Sequence, residues 1–170
     1  MSQREHAILL TGELGMDHVK TIWRRTQLRS SGPVKLYLCT EGGDLAAWVA
    51  IIDMLSELHE RGDLVTVGMG EVCSGGVPIL AYGSPGRRGI YRHTMIGLHE
   101  PYLTSTTADP AVLRAEVKTL ESMRDRFYTL MARLTQRRPS WWRKRLSGQS
   151  LVWIDAKEAI RWRLADVILG

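Results

Sequence analysis

The segment MGEVCSGGVPIL places Ser74 where a strand gives way to a helix, with Gly75 and Gly76 directly after it. Such a turn exposes a hydroxyl. It also aims the unpaired N–H groups of a helix start at the same spot, which suits a nucleophile beside a developing oxyanion. Ser-Gly-Gly is equally a plain turn, and the pattern departs from GxSxG, so both readings stay open here. A second glycine pair, in CTEGGD, ends an apolar run. With no side chain at Gly43, its backbone N–H can come close to a substrate carbonyl; the same glycines would also serve as a turn ahead of a helix capped by Asp44. A base must accept the serine proton. Of the five histidines, His99 closes the apolar stretch TMIGL and precedes Glu100 and Pro101, so its ring can face a site at a strand end. His59 is expected near the end of a surface helix, in solvent, as are His6 and His18. Cys73 reads as a small buried residue behind the turn rather than as the attacking group.

The elements that must position these residues follow from hydrophobic spacing. Residues 8–10 and KLYLCT (35–40) read as buried strands, with a helix at about 17–28 between them. Asp44 can cap a helix whose Ala47, Ile51, Leu55 and Leu58 share one face and which ends near Gly62. TVGMG (66–70) is another strand, a helix follows from about Gly75, and strand-like stretches recur at 89–92 and 94–98. This alternation argues for an α/β fold around a largely parallel sheet. The clearest helix runs from Asp109 to Leu134, with Asp109 as cap, Pro110 at the first helical position, and Leu113, Val117, Leu120, Phe127, Met131 and Leu134 on one seam. A helix of that length would either project toward a partner subunit or lie buried.

The bulk properties bound the rest. A chain of 170 residues, 44% hydrophobic, can bury one sizeable core, so a single domain over residues 1–170 is expected. No apolar run reaches the roughly 20 residues that span a bilayer, and the opening MSQREHAILL is too short in apolar residues for a secretion signal. No membrane association and a cytoplasmic location are expected. Two cysteines, Cys39 and Cys73, fit a reducing compartment and no zinc spacing, so neither metal nor cofactor is expected. Five of the 23 basic residues lie in RRPSWWRKR (137–145), and the remaining basic residues balance the 18 acidic ones. The run is read as a short amphipathic helix with its Trp pair inward and its cationic heads in water, rather than as a nucleic-acid site.

Taken in order along the chain, ILLTGEL, LYLCTEGGD, VGMGEVCSGGVPILAYGSPGRRGIY, MIGLHEP and VWIDAKEAIRWRLADVIL resemble successive motifs of ClpP, the proteolytic subunit of ATP-dependent Clp proteases. The resemblance implies a ClpP/crotonase-like fold of repeated ββα-type units with a long projecting helix. It further implies a serine endopeptidase hydrolysing unfolded proteins or peptides, with Ser74 as nucleophile, His99 as base, and the N–H groups of Gly43 and Gly75 as oxyanion hole. By the same resemblance the subunits form heptameric rings, stacked in pairs through the long helix to enclose a chamber, with an AAA+ unfoldase or a sister ClpP subunit as partner.

The sequence departs from the family pattern in three places. Leu151 stands two residues before Trp153, where the triad aspartate is expected, and the stretch from Thr135 to Trp153 is about two residues longer than usual; Asp155 or Gln149 are the residues that could orient His99 instead. The chain opens almost on its first strand, leaving little room for axial loops. PYLTSTTAD follows His99 in place of a glycine-rich, strand-forming stretch. The main alternative is therefore a catalytically weak or inactive ring or assembly subunit. An acyl-CoA enzyme of the crotonase type is a third reading, against which Ser74 and the C-terminal signature count.

Overall fold

Short apolar runs bounded by turn residues alternate with amphipathic segments, and they fold as strands and helices in turn. The computed structural model describes residues 6–27, 32–102 and 107–170. In chain order the elements are β1 (His6–Leu14), α1 (Met16–Gln27), β2 (Val34–Gly43), α2 (Leu45–Glu60), β3 (Leu64–Cys73), α3 (Gly76–Ala81), β4 (Arg88–Tyr91), β5 (Met95–Leu98), α4 (Pro110–Thr135), α5 (Pro139–Leu146), β6 (Val152–Ile154), α6 (Ala156–Arg161) and β7 (Val167–Leu169). The expected strands and helices are all present. The first three strands run longer than their apolar centres because flanking polar residues also pair, as in Thr11 with Cys39 and Thr40 with Val72. Residue 28, the expected end of α1, and residues 103–106 of PYLTSTTAD lie outside the described residues.

Strands β1, β2, β3, β4 and β7 lie side by side in parallel. β3 then forks. Its Thr66–Gly68 portion pairs with β4, whereas Glu71, Val72 and Cys73 pair with β5. Gly70, at φ +63°, lies between the two portions in a conformation that a side chain would disfavour. β6 pairs antiparallel with β5, with Leu98 opposite Val152; His99 directly follows β5 and Leu151 directly precedes β6. The α/β fold is thus a largely parallel sheet, and among the described residues its one antiparallel pair, β5 with β6, leads into the histidine.

Helix α2 begins at Asp44, whose carboxylate accepts the Ala47 N–H at 2.8 Å. Its expected apolar face is buried, together with Trp48 and Ile52, and each such side chain contributes roughly 1.5–3 kcal/mol. Asp109 caps α4 in the same way, through the Ala111 N–H at 2.7 Å. With 26 residues, α4 is about 39 Å long. Its apolar seam splits in two: Phe127 and Met131 are buried, whereas Leu113 and Val117 are 45% and 50% exposed. The C-terminal part packs and the N-terminal part projects.

Helix α5 folds as its pattern suggests. Trp142 is fully buried and donates from Nε1 to Thr135 Oγ1 at 3.0 Å. Trp141 meets Trp142 and Trp162 edge-on at 4.9 and 5.2 Å, and Arg145 lies 3.5 Å over the Trp141 ring. Arg88, buried at the start of β4, ties the C-terminal segment to the sheet. It donates to Asp166 through Nε at 2.9 Å and Nη2 at 2.5 Å, and through Nη1 to the carbonyls of Leu134 and Arg163 at 3.1 and 3.0 Å. Burial pushes the Asp166 carboxyl up, but the hydrogen bonds and charge of Arg88 outweigh it and hold the group below its usual range.

Among the described residues, no helix is long and apolar enough to cross a membrane. His59 is not the solvated residue expected from its place near a helix end. Its Nδ1 lies 2.7 Å from the Tyr82 carbonyl and its ring stacks on Tyr82 at 4.6 Å, because α2 packs that face against the end of α3.

Candidate active site

Ser74 follows β3 directly and precedes α3. Its φ is +50°, a left-handed conformation that costs a residue with a β-carbon roughly 1–2 kcal/mol. Two hydrogen bonds hold it there: Ser74 N–H donates to Gly97 O at 2.9 Å, and Val77 N–H donates to Ser74 O at 3.0 Å. The backbone is further wedged by neighbours that leave no room for a β-carbon. At Gly42 (φ +96°) one would stand 2.3 Å from Ser74 Cβ; at Gly75, 2.6 Å from Trp48 Cδ1; at Gly97, 2.3 Å from Cys73 Sγ. A strained turn persists when its surroundings over-determine it, and strain of this kind clusters at functional sites.

The glycine pair of CTEGGD divides its work differently from the expectation. Gly42 makes room for Ser74. A β-carbon on Gly43 (φ +148°) would instead collide with the Leu14 carbonyl at 2.4 Å, so its missing side chain lets β2 pass β1. Among the described residues Gly75 N–H donates to no acceptor. Gly42, Gly43, Ser74, Gly75 and His99 line one cavity of about 670 Å³, with Trp48, Pro78, Pro101, Tyr102 and Phe127 among its walls. Ser74 and His99 therefore share a cavity, without a direct hydrogen bond among the described residues.

His99 sits just past β5. Its Nδ1 lies 2.7 Å from the backbone carbonyl of Glu100, a contact that is a hydrogen bond in the tautomer that carries its proton on Nδ1. Neither of the two residues that sequence reasoning offered to orient the ring does so. Asp155 is spent as the cap of α6, accepting the Glu158 N–H at 2.8 Å. Gln149 is exposed just past the turn that follows α5, and its N–H donates to Leu146 O. Leu151 is 41% exposed. The Glu100 carboxylate accepts a short hydrogen bond from the buried Tyr128 hydroxyl and lies 3.9 Å from Arg124 Nε. Burial first, and then this hydrogen bond, raise the Tyr128 hydroxyl above its usual range, so it remains a donor.

Cys73 is buried, and its Sγ donates to Glu71 Oε1 at 3.2 Å. Burial, with the Glu71 hydrogen bond and charge, pushes the thiol up to about 12. It stays protonated at neutral pH and is a poor nucleophile there. Sequence reasoning missed Gly42, Gly97, Glu100 and Tyr128. Only Gly42, as a member of a glycine pair, left any signal in the sequence.

A largely parallel α/β sheet with a serine on a strained turn at the end of a central strand and one long helix is the architecture of ClpP-like proteins. The Clp protease family profile matches residues 3–170, and the chain belongs to that family. It is 26% identical over 135 residues to ATP-dependent Clp protease proteolytic subunit 1 of Corynebacterium glutamicum, a match covering 79% of this chain and 63% of that protein. It is 27% identical over 146 residues to proteolytic subunit 1 of Nocardia farcinica, covering 84% and 72%. It is also 29% identical over 106 residues to proteolytic subunit 2 of Prochlorococcus marinus, covering 62% and 51%. The chain thus spans about 63% of the length of the Corynebacterium relative.

Proposed function

We propose that this chain is a serine-type endopeptidase subunit, one peptidase domain over residues 1–170, acting on unfolded proteins or peptides. The observation that carries the reading is Ser74 held at φ +50° in a cavity lined also by Gly43, Gly75 and His99. Ser74 Oγ attacks the scissile carbonyl as His99 takes its proton. The tetrahedral oxyanion is met by the N–H groups of Gly43 and Gly75, each worth about 3–4 kcal/mol by analogy with a measured oxyanion donor. Collapse breaks the C–N bond, His99 returns the proton to the leaving amine, and water then hydrolyses the acyl-enzyme by the same steps in reverse.

The exposed apolar residues of α4, Val112, Leu113 and Val117, support association of subunits into heptameric rings stacked in pairs. An AAA+ unfoldase or a sister ClpP subunit is the proposed partner, and the cytoplasm the proposed location. A second reading, a ring subunit without catalysis, is favoured by one observation: the residue directly before β6, the strand paired with β5, is Leu151 and not an acid.

Reaction with a fluorophosphonate serine probe, read by intact mass, separates the two. The expected result is a single adduct that disappears in Ser74→Ala and in His99→Ala. Absence of any adduct on a folded, assembled protein would overturn the peptidase reading in favour of the second.

A further inference from the structure

With Leu151 where the family pattern places an acid, the group that sets the tautomer of His99 must lie elsewhere. An imidazole acts as a base toward a serine only through a nitrogen that carries no proton, so the other nitrogen must keep its proton in a defined hydrogen bond. In this chain that bond runs from His99 Nδ1 to the Glu100 carbonyl at 2.7 Å. We infer that the backbone carbonyl of Glu100 replaces the missing side-chain acid as the orienting group of His99, and that Glu100, Tyr128 and Arg124 are positioning residues that hold this carbonyl in place. The inference rests on the peptidase reading of Ser74 and His99.

Three features give the carbonyl a fixed direction. Pro101 follows Glu100, and a residue before proline is confined to extended backbone, which narrows where its carbonyl can point. The Glu100 side chain is anchored on α4 by the Tyr128 hydroxyl and lies beside Arg124 at 3.9 Å. Arg124 Nε also donates to the Pro101 carbonyl at 3.1 Å, so one helix holds both residues after the histidine. The anchoring helix is itself stiffened at this point, with Tyr128 and Phe127 buried and Arg143 stacked 4.7 Å over the Tyr128 ring.

A carbonyl differs from a carboxylate in what it can supply. It fixes the ring orientation and leaves Nε2 bare, but it brings no full negative charge against the imidazolium that forms during attack. The arrangement thus provides orientation with little charge stabilisation.

Magic-angle-spinning NMR of the assembled full chain, labelled with 15N-histidine and held above about pH 8, where a free imidazole is neutral, reads the tautomer directly. Comparison with His99→Gln assigns the signal. The expected result is a protonated Nδ1 and a bare Nε2 in the wild type. Tyr128→Phe and Arg124→Gln should each shift population toward the Nε2–H form and lower kcat roughly tenfold with KM nearly unchanged. A wild-type His99 protonated on Nε2 would overturn the orienting role of the carbonyl. Tautomer populations unmoved in both variants would overturn the positioning role of Tyr128 and Arg124. A protonated Nδ1 in a protein that forms no fluorophosphonate adduct would uphold the orienting carbonyl and sink the peptidase reading alone.

Discussion

The two halves of the cavity are held by different physics. Around Ser74, three glycines stand where a β-carbon would come within 2.3–2.6 Å of a neighbour, so the segments around the turn pack closer than any side chain would allow. Around His99, the ring is held by one hydrogen bond to its own neighbour and a tilted contact with Tyr102 at 5.3 Å, and the residue before β6 is a leucine. Steep repulsion over-determines a geometry, whereas a single hydrogen bond, worth about 1 kcal/mol net, leaves it adjustable.

The largest effect is expected at Gly42. Gly42→Ala places a methyl on Ser74 Cβ and strains a left-handed residue, so fluorophosphonate labelling should fall about a thousandfold, the scale at which lost oxyanion geometry acts. Near-normal labelling with an intact circular-dichroism spectrum would contradict the tight half of the comparison. Next comes Gly97→Ala, which drives a methyl into Cys73 Sγ and should cost about 1–3 kcal/mol in urea unfolding. Adding Cys73→Ala should recover much of that loss; a purely additive double variant would show that the clash is not the cause.

On the adjustable side, Leu151→Asp puts a carboxylate directly before β6, at the end of the β5–β6 pair that leads into His99. Peptide hydrolysis should rise about tenfold, a fraction of the roughly 10⁴ lost when a triad acid is neutralised, because the Glu100 carbonyl already holds Nδ1. An unchanged or lower rate in a folded protein would show that the base side is not adjustable in this way. The smallest effect lies outside both halves. The Asp166 carboxyl is held low when folded, so its contribution to stability is fully present above its ordinary value near 4 and is lost as pH falls through its lower folded value. Urea midpoints measured from pH 6 to pH 2.5 should show this loss in the wild type and less of it in Asp166→Asn.

Much of the fold is legible in local spacing. The α2 face of Ala47, Ile51, Leu55 and Leu58, the caps Asp44 and Asp109, and the turn that exposes Ser74 all follow from periods of 3.6 and 2 and from capping chemistry, which act over a few residues. The α4 seam was legible as a pattern but not in its use. Leu113 and Phe127 look alike in sequence, and only the length of the helix against the size of the sheet sends one into solvent and the other into the core.

The sequence by itself determined which elements form, where a serine could be presented, and, through family motifs, that Leu151 stands where an acid is expected. Tertiary structure alone decided which glycine faces Ser74, that β6 pairs with the strand leading into His99, and that Asp155 caps a helix instead of orienting the ring. It also decided that the Glu100 carbonyl meets Nδ1 while Tyr128, 28 residues further on, anchors its side chain. The physical reason is range. Propensity and capping depend on near neighbours, whereas register between β5 and β6 and the docking of α4 depend on how distant segments close the core together.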